Sequence, residues 1–384
     1  MSKDFFTQSE FDKRHANVRA EMEKAGIDVL VVVAPQNINY LIGTPAKLYQ
    51  TFTAMFFPLD PGPITVLGRL PEVPMLKAES LADDVRGFGE PVTEDPIDVM
   101  KQIISDRKYS GLRFGLEVPD YYLHAHDYQK IQALLGDALV MDATDLIGKI
   151  KLIKSPAEIE YARKSAAILD KAMETCRNSL AAGKTERQVS AEIHYTLMSS
   201  GSDIPSSPMN FLSGPRSAFA HGEPTDRVLE AGDFMHIQFG AHWRRYCCTI
   251  GRQFCLGEPT KRMLEVYQVT RDACDAAISE MKAGVPATVP HNAAKAVVGA
   301  AGMEQYRLHM TGYAVGVAFP PSWIDPLVMD SSCNQTLEAG MIIAVEPPLF
   351  GLEEGLGVRI IENVLVTETG VEVLCKTTRD LVVA

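Results

Sequence analysis

The sequence predicts a mixed α/β (α+β) protein of two domains, residues 1–154 and 155–384. Up to about residue 150, amphipathic stretches of helical spacing alternate with short apolar runs, the pattern of a layered α/β domain. Lys151-Leu-Ile-Lys-Ser-Pro-Ala-Glu158 then writes out a full helix entry in mid-chain, and beyond it long amphipathic stretches lead into a region rich in strand patterns. With 384 residues, 46% of them hydrophobic, the chain can bury a separate core in each half.

A helix is read from Ser9 to Ala25, where Phe11, Val18 and Met22 share a face and Gly26 stops it. Asp28–Val33, Met55–Phe57, Ile64–Leu67 and Phe114–Glu117 read as buried strands, and Tyr121–Leu135 and Ala143–Ile150 as helices. In the mid-chain entry, Ser155 is the expected N-cap, Pro156 fits the first helical position and Glu158 supplies the capping-box acid. The helix it opens is expected to run to about Leu180, with a second from Thr185 to Ser199. Further helices are read over Lys261–Lys282 and His291–Ala301, and the apolar segments near the C-terminus as strands.

Lys and Arg number 37 against 49 Asp and Glu, so the net charge of −12 argues against a duplex nucleic-acid partner. No apolar stretch reaches the roughly 18 residues of a membrane span. Met1-Ser-Lys-Asp-Phe5 leads into a polar amphipathic stretch rather than a signal peptide. The seven cysteines are odd in number and lack zinc-type pairing, and Cys247-Cys248 would face opposite ways in a strand; reduced thiols in a cytoplasmic protein are the simplest reading.

Five later segments hold the chemistry: Asp233–Ala241, Arg245–Phe254, Thr311–Gly316, Gly340–Pro347 and Gly357–Val364. In order, spacing and flanks they resemble the creatinase/prolidase/methionine-aminopeptidase superfamily, the pita-bread enzymes. Ile153-Lys-Ser-Pro-Ala-Glu-Ile159 and, more weakly, Asn37-Ile-Asn-Tyr40 extend the resemblance over nearly the whole chain. It implies an N-terminal creatinase-like α/β domain, a C-terminal pita-bread catalytic domain, and a homodimer in which the partner's N-terminal domain lies near the active site. Metal-dependent members carry Asp, Asp, His, Glu and Glu at five positions; here those positions hold Gln238, Thr249, Tyr313, Glu346 and Ile361. A hydrolytic ion pair about 3.5–4 Å apart needs several anionic oxygens. Gln238 and Thr249 are neutral, Tyr313 would have to lose a proton with a pKa of about 10, and Ile361 cannot ligate. The expectation is therefore no metal and no other cofactor, even if a one-residue slip turned Glu362 inward in place of Ile361.

Without a metal, water needs a base that titrates near neutrality, and His221 is the candidate; creatinase carries a proton-shuttling histidine in the corresponding stretch. The bland reading is a loop histidine bonding its own turn. Glu346, ending an apolar strand, matches the glutamate that holds creatinase's guanidine group; it is read as binding a cationic group or orienting His221, or else as a salt bridge to Arg359 or Arg252. Tyr313 is read as an oxyanion donor or a packed aromatic near a glycine-rich turn. Gln238 offers a donor and an acceptor, and Thr249 is a weaker candidate or filler. Phe319-Pro-Pro-Ser-Trp-Ile-Asp-Pro326 is read as a rigid loop resembling a Phe-Pro-Pro-x-Trp segment of relatives that open the ectoine ring, with Trp323 and Asp325 placed to cover a small cation unless Trp323 plugs a core gap. His309 has only its position on the approach to this region. Creatinase's second glutamate falls near Gly251 and its carboxylate-binding arginine near Thr51, where Tyr49 and Lys47 are possible substitutes. Arg252 and Arg359 are candidates for a substrate carboxylate, whereas Arg244 and Arg245 are read as solvated.

The expected function is metal-independent hydrolysis of a C–N bond in a small zwitterionic compound (an amidine, guanidino acid or cyclic amide), with His221 activating water. Three alternatives stand beside it. They are a metal-dependent Xaa-Pro dipeptidase, an inactive pita-bread binding protein, and an enzyme like the dimethylsulfoniopropionate lyases.

Overall fold

The protein is described by a computed structural model covering residues 4–119 and 121–384. It divides into two compact units, Met1–Lys151 and Leu152–Ala384.

The first unit runs α1 (Gln8–Ala25), β1 (Val29–Val32), α2 (Pro35–Ile42), β2 (Ala54–Pro58), β3 (Thr65–Arg69), α3 (Val73–Glu79), β4 (Asp84–Phe88), α4 (Pro96–Asp106), β5 (Phe114–Leu116), α5 (Ala125–Leu135), β6 (Leu139–Asp142) and α6 (Thr144–Leu152). Its strands form one mixed sheet in the order β4-β3-β2-β1-β5-β6. The central strand β1 pairs antiparallel with β2 and parallel with β5. All four of its residues are buried, as a strand covered on both faces requires. Gly26 ends α1 in the left-handed region at φ 68°, where its N–H reaches Glu23 and the next N–H reaches Met22, a closure that favours glycine.

Three helices here have no counterpart in the sequence reading, and a fourth starts later than expected. In α2, six of eight residues are buried, so no polar face marks the helical period. Helix α3 is too short to show a period, and α4 has the readable signal of Asp95 capping Ile97 ahead of Pro96. The expected Tyr121–Leu135 helix begins only at Ala125.

The second unit contains α7 (Pro156–Ser179), α8 (Glu186–Ser199), β7 (Asn210–Ser213), β8 (Phe234–Trp243), β9 (Tyr246–Cys255), α9 (Lys261–Ser279), α10 (Thr288–Ala300), β10 (Gly312–Phe319), β11 (Ser322–Met329), β12 (Ile342–Val345), β13 (Glu362–Val366), β14 (Val371–Val373) and β15 (Val382–Val383). One sheet runs β14-β13-β12-β10-β9-β8-β7, with β11 added at β10 and β15 at β9. Ser155 and Glu158 form the capping box at the start of α7, and Ala162, Ala166, Leu169, Ala172, Met173 and Cys176 bury the face that packs on the sheet.

The long hairpin of β8 and β9 turns on Arg244 and Arg245, both at positive φ (51° and 70°). Such a turn matches the strand twist but usually draws Asn or Gly. Here tertiary bonds offset the strain. Arg245 is buried rather than solvated, donates through Nε to the Ala318 carbonyl at 2.9 Å, and lies over the Phe319 ring. Arg244 donates to the Tyr161 hydroxyl at 2.6 Å. The Phe319–Pro326 segment expected as a loop is a hairpin corner leading into β11, and Tyr313 sits within β10 rather than beside a turn.

Candidate active site

The loop bearing His221 is pinned at several points. Phe211 N–H donates to Gly222 O and Gly222 N–H to Asn210 Oδ1, each at 3.0 Å, tying the residue after His221 to β7. On β8, the fully buried His236 places Nε2 3.1 Å from both the Ser217 and Phe219 carbonyls. Burial pushes the His236 pKa well below the ordinary imidazole value, so the ring is neutral, and two carbonyl acceptors require the proton on Nε2. Gly351 N–H adds a bond to Ala218 O at 2.8 Å.

A cavity of about 110 Å³ opens beside this loop, and His221, His309, Gln238, Tyr313, Trp323 and Glu346 are among its walls. The His221 and His309 rings lie 6.2 Å apart, centroid to centroid. His221 remains open to solvent on one side, but burial of the rest of its ring lowers its pKa, helped by the Arg359 and His309 charges and opposed by Glu346. Tyr313 donates to Glu346 Oε2 at 3.0 Å and accepts from Trp323 Nε1 at 3.3 Å. Burial and the neighbouring carboxylate drive the phenol pKa well upward, so Tyr313 is a donor and not an anion. Trp323 approaches this pair over Gly240, where an added Cβ would fall 2.9 Å from the indole. Trp323 therefore both lines the cavity and plugs the core.

Behind the cavity, Arg359 Nε lies 2.9 Å from Glu346 Oε1, and both side chains are almost wholly buried. The contact is electrostatic rather than an aligned hydrogen bond, since neither atom finds a hydrogen-bond partner. Arg359 Nη1 donates to Gln238 Oε1 at 2.6 Å, and Asn210 Nδ2 donates to the same oxygen at 2.8 Å. With its oxygen doubly engaged, Gln238 is left with its NH2 to offer a ligand. Of the two partners expected for Glu346 by ion pairing, Arg359 is the one realised.

The other sequence candidates are committed elsewhere. Thr249 Oγ1 donates to the Phe239 carbonyl at 3.3 Å. Ile361 packs into the apolar cluster that includes Phe239, Tyr313 and Trp323, and it bridges Gly251. Glu362 points the other way and takes Arg252 Nη2 at 2.9 Å. No slip brings Glu362 inward, because adjacent strand residues face opposite sides. Arg252 spends further donors on the Ile361 and Thr378 carbonyls, so neither it nor Glu362 is placed for substrate. Asp325 is buried against Lys154 at 3.3 Å instead of flanking a ligand with Trp323. Lys47 and Tyr49 belong to the first unit, between α2 and β2. The sequence reading missed His236 and Asn210 and undervalued His309; its only signal for His309 was proximity to the Thr311–Gly316 motif.

The superfamily resemblance implies two divalent ions at this place, but the residues present do not fit them. One of five positions is anionic, and its charge is met by Arg359. Among the described residues, no group of three or more His, Cys, Asp and Glu side chains is arranged to hold a metal ion.

A creatinase-type α/β unit followed by a pita-bread unit with a pocket on its central strands defines a hydrolase of C–N bonds. The chain belongs to metallopeptidase family M24, which matches residues 160–368, and the creatinase/prolidase N-terminal domain matches residues 14–153. It is 31% identical to the uncharacterised peptidase YqhT of Bacillus subtilis over 256 residues, 67% of this chain and 71% of that protein. It is 28% identical to the Xaa-Pro dipeptidase of Pyrococcus horikoshii over 368 residues, 94% of this chain and 96% of that one. Among solved structures, dipeptidase PepE of Mycobacterium ulcerans superposes with a TM-score of 0.86 at 26% identity, covering 98% of this chain and 99% of that one.

These relatives correct the functional expectation. Metal-independent hydrolysis of a small zwitterion by a creatinase- or ectoine-hydrolase-like enzyme is overturned by full-length similarity to Xaa-Pro dipeptidases, the reading first held as an alternative. The error came from weighing four replaced positions above the rest of the chain.

Proposed function

We propose that the protein is a hydrolase of the Xaa-Pro dipeptidase class, receiving a short peptide and cleaving its C–N bond. The observation that carries this reading is that His221, His309, Tyr313 and Glu346 line one cavity in a chain similar to such dipeptidases over nearly its whole length. Net reaction places the hydroxyl of water on the carbonyl carbon and its proton on the departing nitrogen. His221, neutral near pH 7, accepts a proton from water and returns it to that nitrogen. Tyr313 holds Glu346 in one rotamer, and the Gln238 NH2 donates to a substrate carbonyl or carboxylate. Trp323 supplies the flat apolar wall against which a pyrrolidine ring packs. The homodimer implied by the superfamily resemblance and the cytoplasmic location read from the cysteines belong to the same reading, and light scattering of the purified protein reads the dimer.

A second reading has its own support. The Arg359–Glu346 pair replaces catalytic anions with a closed ion pair, which suits a pocket that binds a peptide without cleaving it. Ala-Pro and Leu-Pro, supplied with and without manganese or cobalt, separate the two. Release of free proline that His221→Ala abolishes supports the hydrolase. Calorimetric binding of the dipeptides without product supports the binding protein. Neither release nor binding rejects both.

A further inference from the structure

We infer that the Arg359 guanidinium is the resident cation of this pocket, joining two of the five positions at which metal-dependent relatives carry ligands, so that no divalent ion is taken up there.

Three observations bear on this. The first is charge. Glu346 is the single carboxylate among Gln238, Thr249, Tyr313, Glu346 and Ile361, and the guanidinium beside it brings the local sum to zero. An ion pair of charge +4 would enter a site with no net negative charge, next to a fixed positive one, where low polarity strengthens the repulsion.

The second is geometry. One guanidinium engages two of the five positions at once, 2.9 Å from Glu346 Oε1 and 2.6 Å from Gln238 Oε1. Arg359 has no exposed surface and stacks over Phe350 at 4.9 Å, so it cannot swing out to admit an ion without opening the core. Buried cations persist when paired, and Arg359 is paired with Glu346 by charge and with Gln238 by one hydrogen bond from Nη1, while Nε and Nη2 donate no hydrogen bond within the protein.

The third is closure of the remaining corners. Thr249 spends its hydroxyl on the Phe239 carbonyl, and Ile361 fills its corner with hydrocarbon. Tyr313 donates its proton to Glu346 and accepts from Trp323, so its oxygen is engaged as a neutral phenol.

Metal content tests this without reference to turnover, so its failure is distinguishable from that of the peptidase reading. The protein is incubated with manganese, cobalt or zinc, passed through a desalting column and analysed by mass spectrometry for metal per chain. Glu346→Gln is run in parallel to separate pocket ions from ions on surface histidines. The expected result is substoichiometric metal that Glu346→Gln leaves unchanged. One or more ions per chain, lost in Glu346→Gln, would overturn the inference. Restoring the corners together, with Gln238→Asp, Thr249→Asp, Tyr313→His and Ile361→Glu, is expected to raise uptake to at least one ion per chain. Should that variant not fold, the wild-type measurement with its Glu346→Gln control decides alone.

Discussion

His236 Nε2 and the Phe219 carbonyl oxygen lie 3.1 Å apart, joining the core of β8 to the loop that presents His221 two residues later. The same nitrogen faces the Ser217 carbonyl, so one neutral imidazole fixes the loop at two points. Replacing it by Phe keeps a flat ring, somewhat larger than imidazole, and removes both bonds. His236→Phe is expected to cost about 1–3 kcal/mol through unpaired buried carbonyls. It should also lower kcat more than it raises KM, because His221 is displaced rather than lost. Thermal denaturation and steady-state kinetics check this; full stability with unchanged kcat would deny the pin any role.

Under the proposed function, His221 as the base sets the acid side of the activity profile. Its pKa is lowered, first by burial and then by the Arg359 and His309 charges. Activity that needs the neutral imidazole is therefore complete at neutral pH and falls only below the usual histidine range. Glu346 opposes the shift, so Glu346→Gln is expected to move the titration further into acid. A proton NMR titration of His221 reads both midpoints, and an upward move in Glu346→Gln would contradict the assigned charges.

In the first unit, Glu117 is fully enclosed and its pKa is pushed up to about 7, mainly by burial, against the pull of the Val33 and Ala34 N–H groups and Asn37 Nδ2. The folded state then holds a proton that the unfolded chain has released. Stability should fall as pH rises from about 4.5 to about 7, by on the order of 3 kcal/mol from this group. Glu117→Gln removes that slope. It is expected to be tolerated at pH 8, because turning the Asn37 amide would bring its unpartnered Oδ1 to the new NH2. Urea denaturation at pH 5 and pH 8 measures the slope, and an identical slope in the variant would reject the assignment.

Lys154 and Asp325 form a buried pair, with side chains 1% and 5% exposed. Removing one partner leaves the other charged in the core. Asp325→Asn is expected to destabilise by roughly 3–5 kcal/mol, whereas surface pairs such as Lys24–Glu21 should give under about 1 kcal/mol. Parallel unfolding curves for Asp325→Asn and Glu21→Gln make the comparison, and equal losses would contradict it.

Parts of this protein were legible from short windows. The capping box at Ser155, the glycine stop of α1 and the apolar face of α7 are local devices, written within a few residues of where they act. Helix α2 was not legible, because a helix buried on most sides has no amphipathic period to read. The candidate site divides in the same way. His221 and Glu346 stood out by their flanking motifs, whereas His236 and Asn210 act only through strand pairings that bring β7 and β8 to the loop.

By itself the sequence determined the two-part α/β organisation and the family resemblance, since each rests on residue identity and spacing. Tertiary structure alone decided that Glu346 is met by Arg359, that Glu362 faces Arg252, and that Asp325 belongs to Lys154. Those choices depend on which charges the folded sheet brings within a few ångströms in a medium too apolar to leave them unpaired, and sequence separation does not encode that distance.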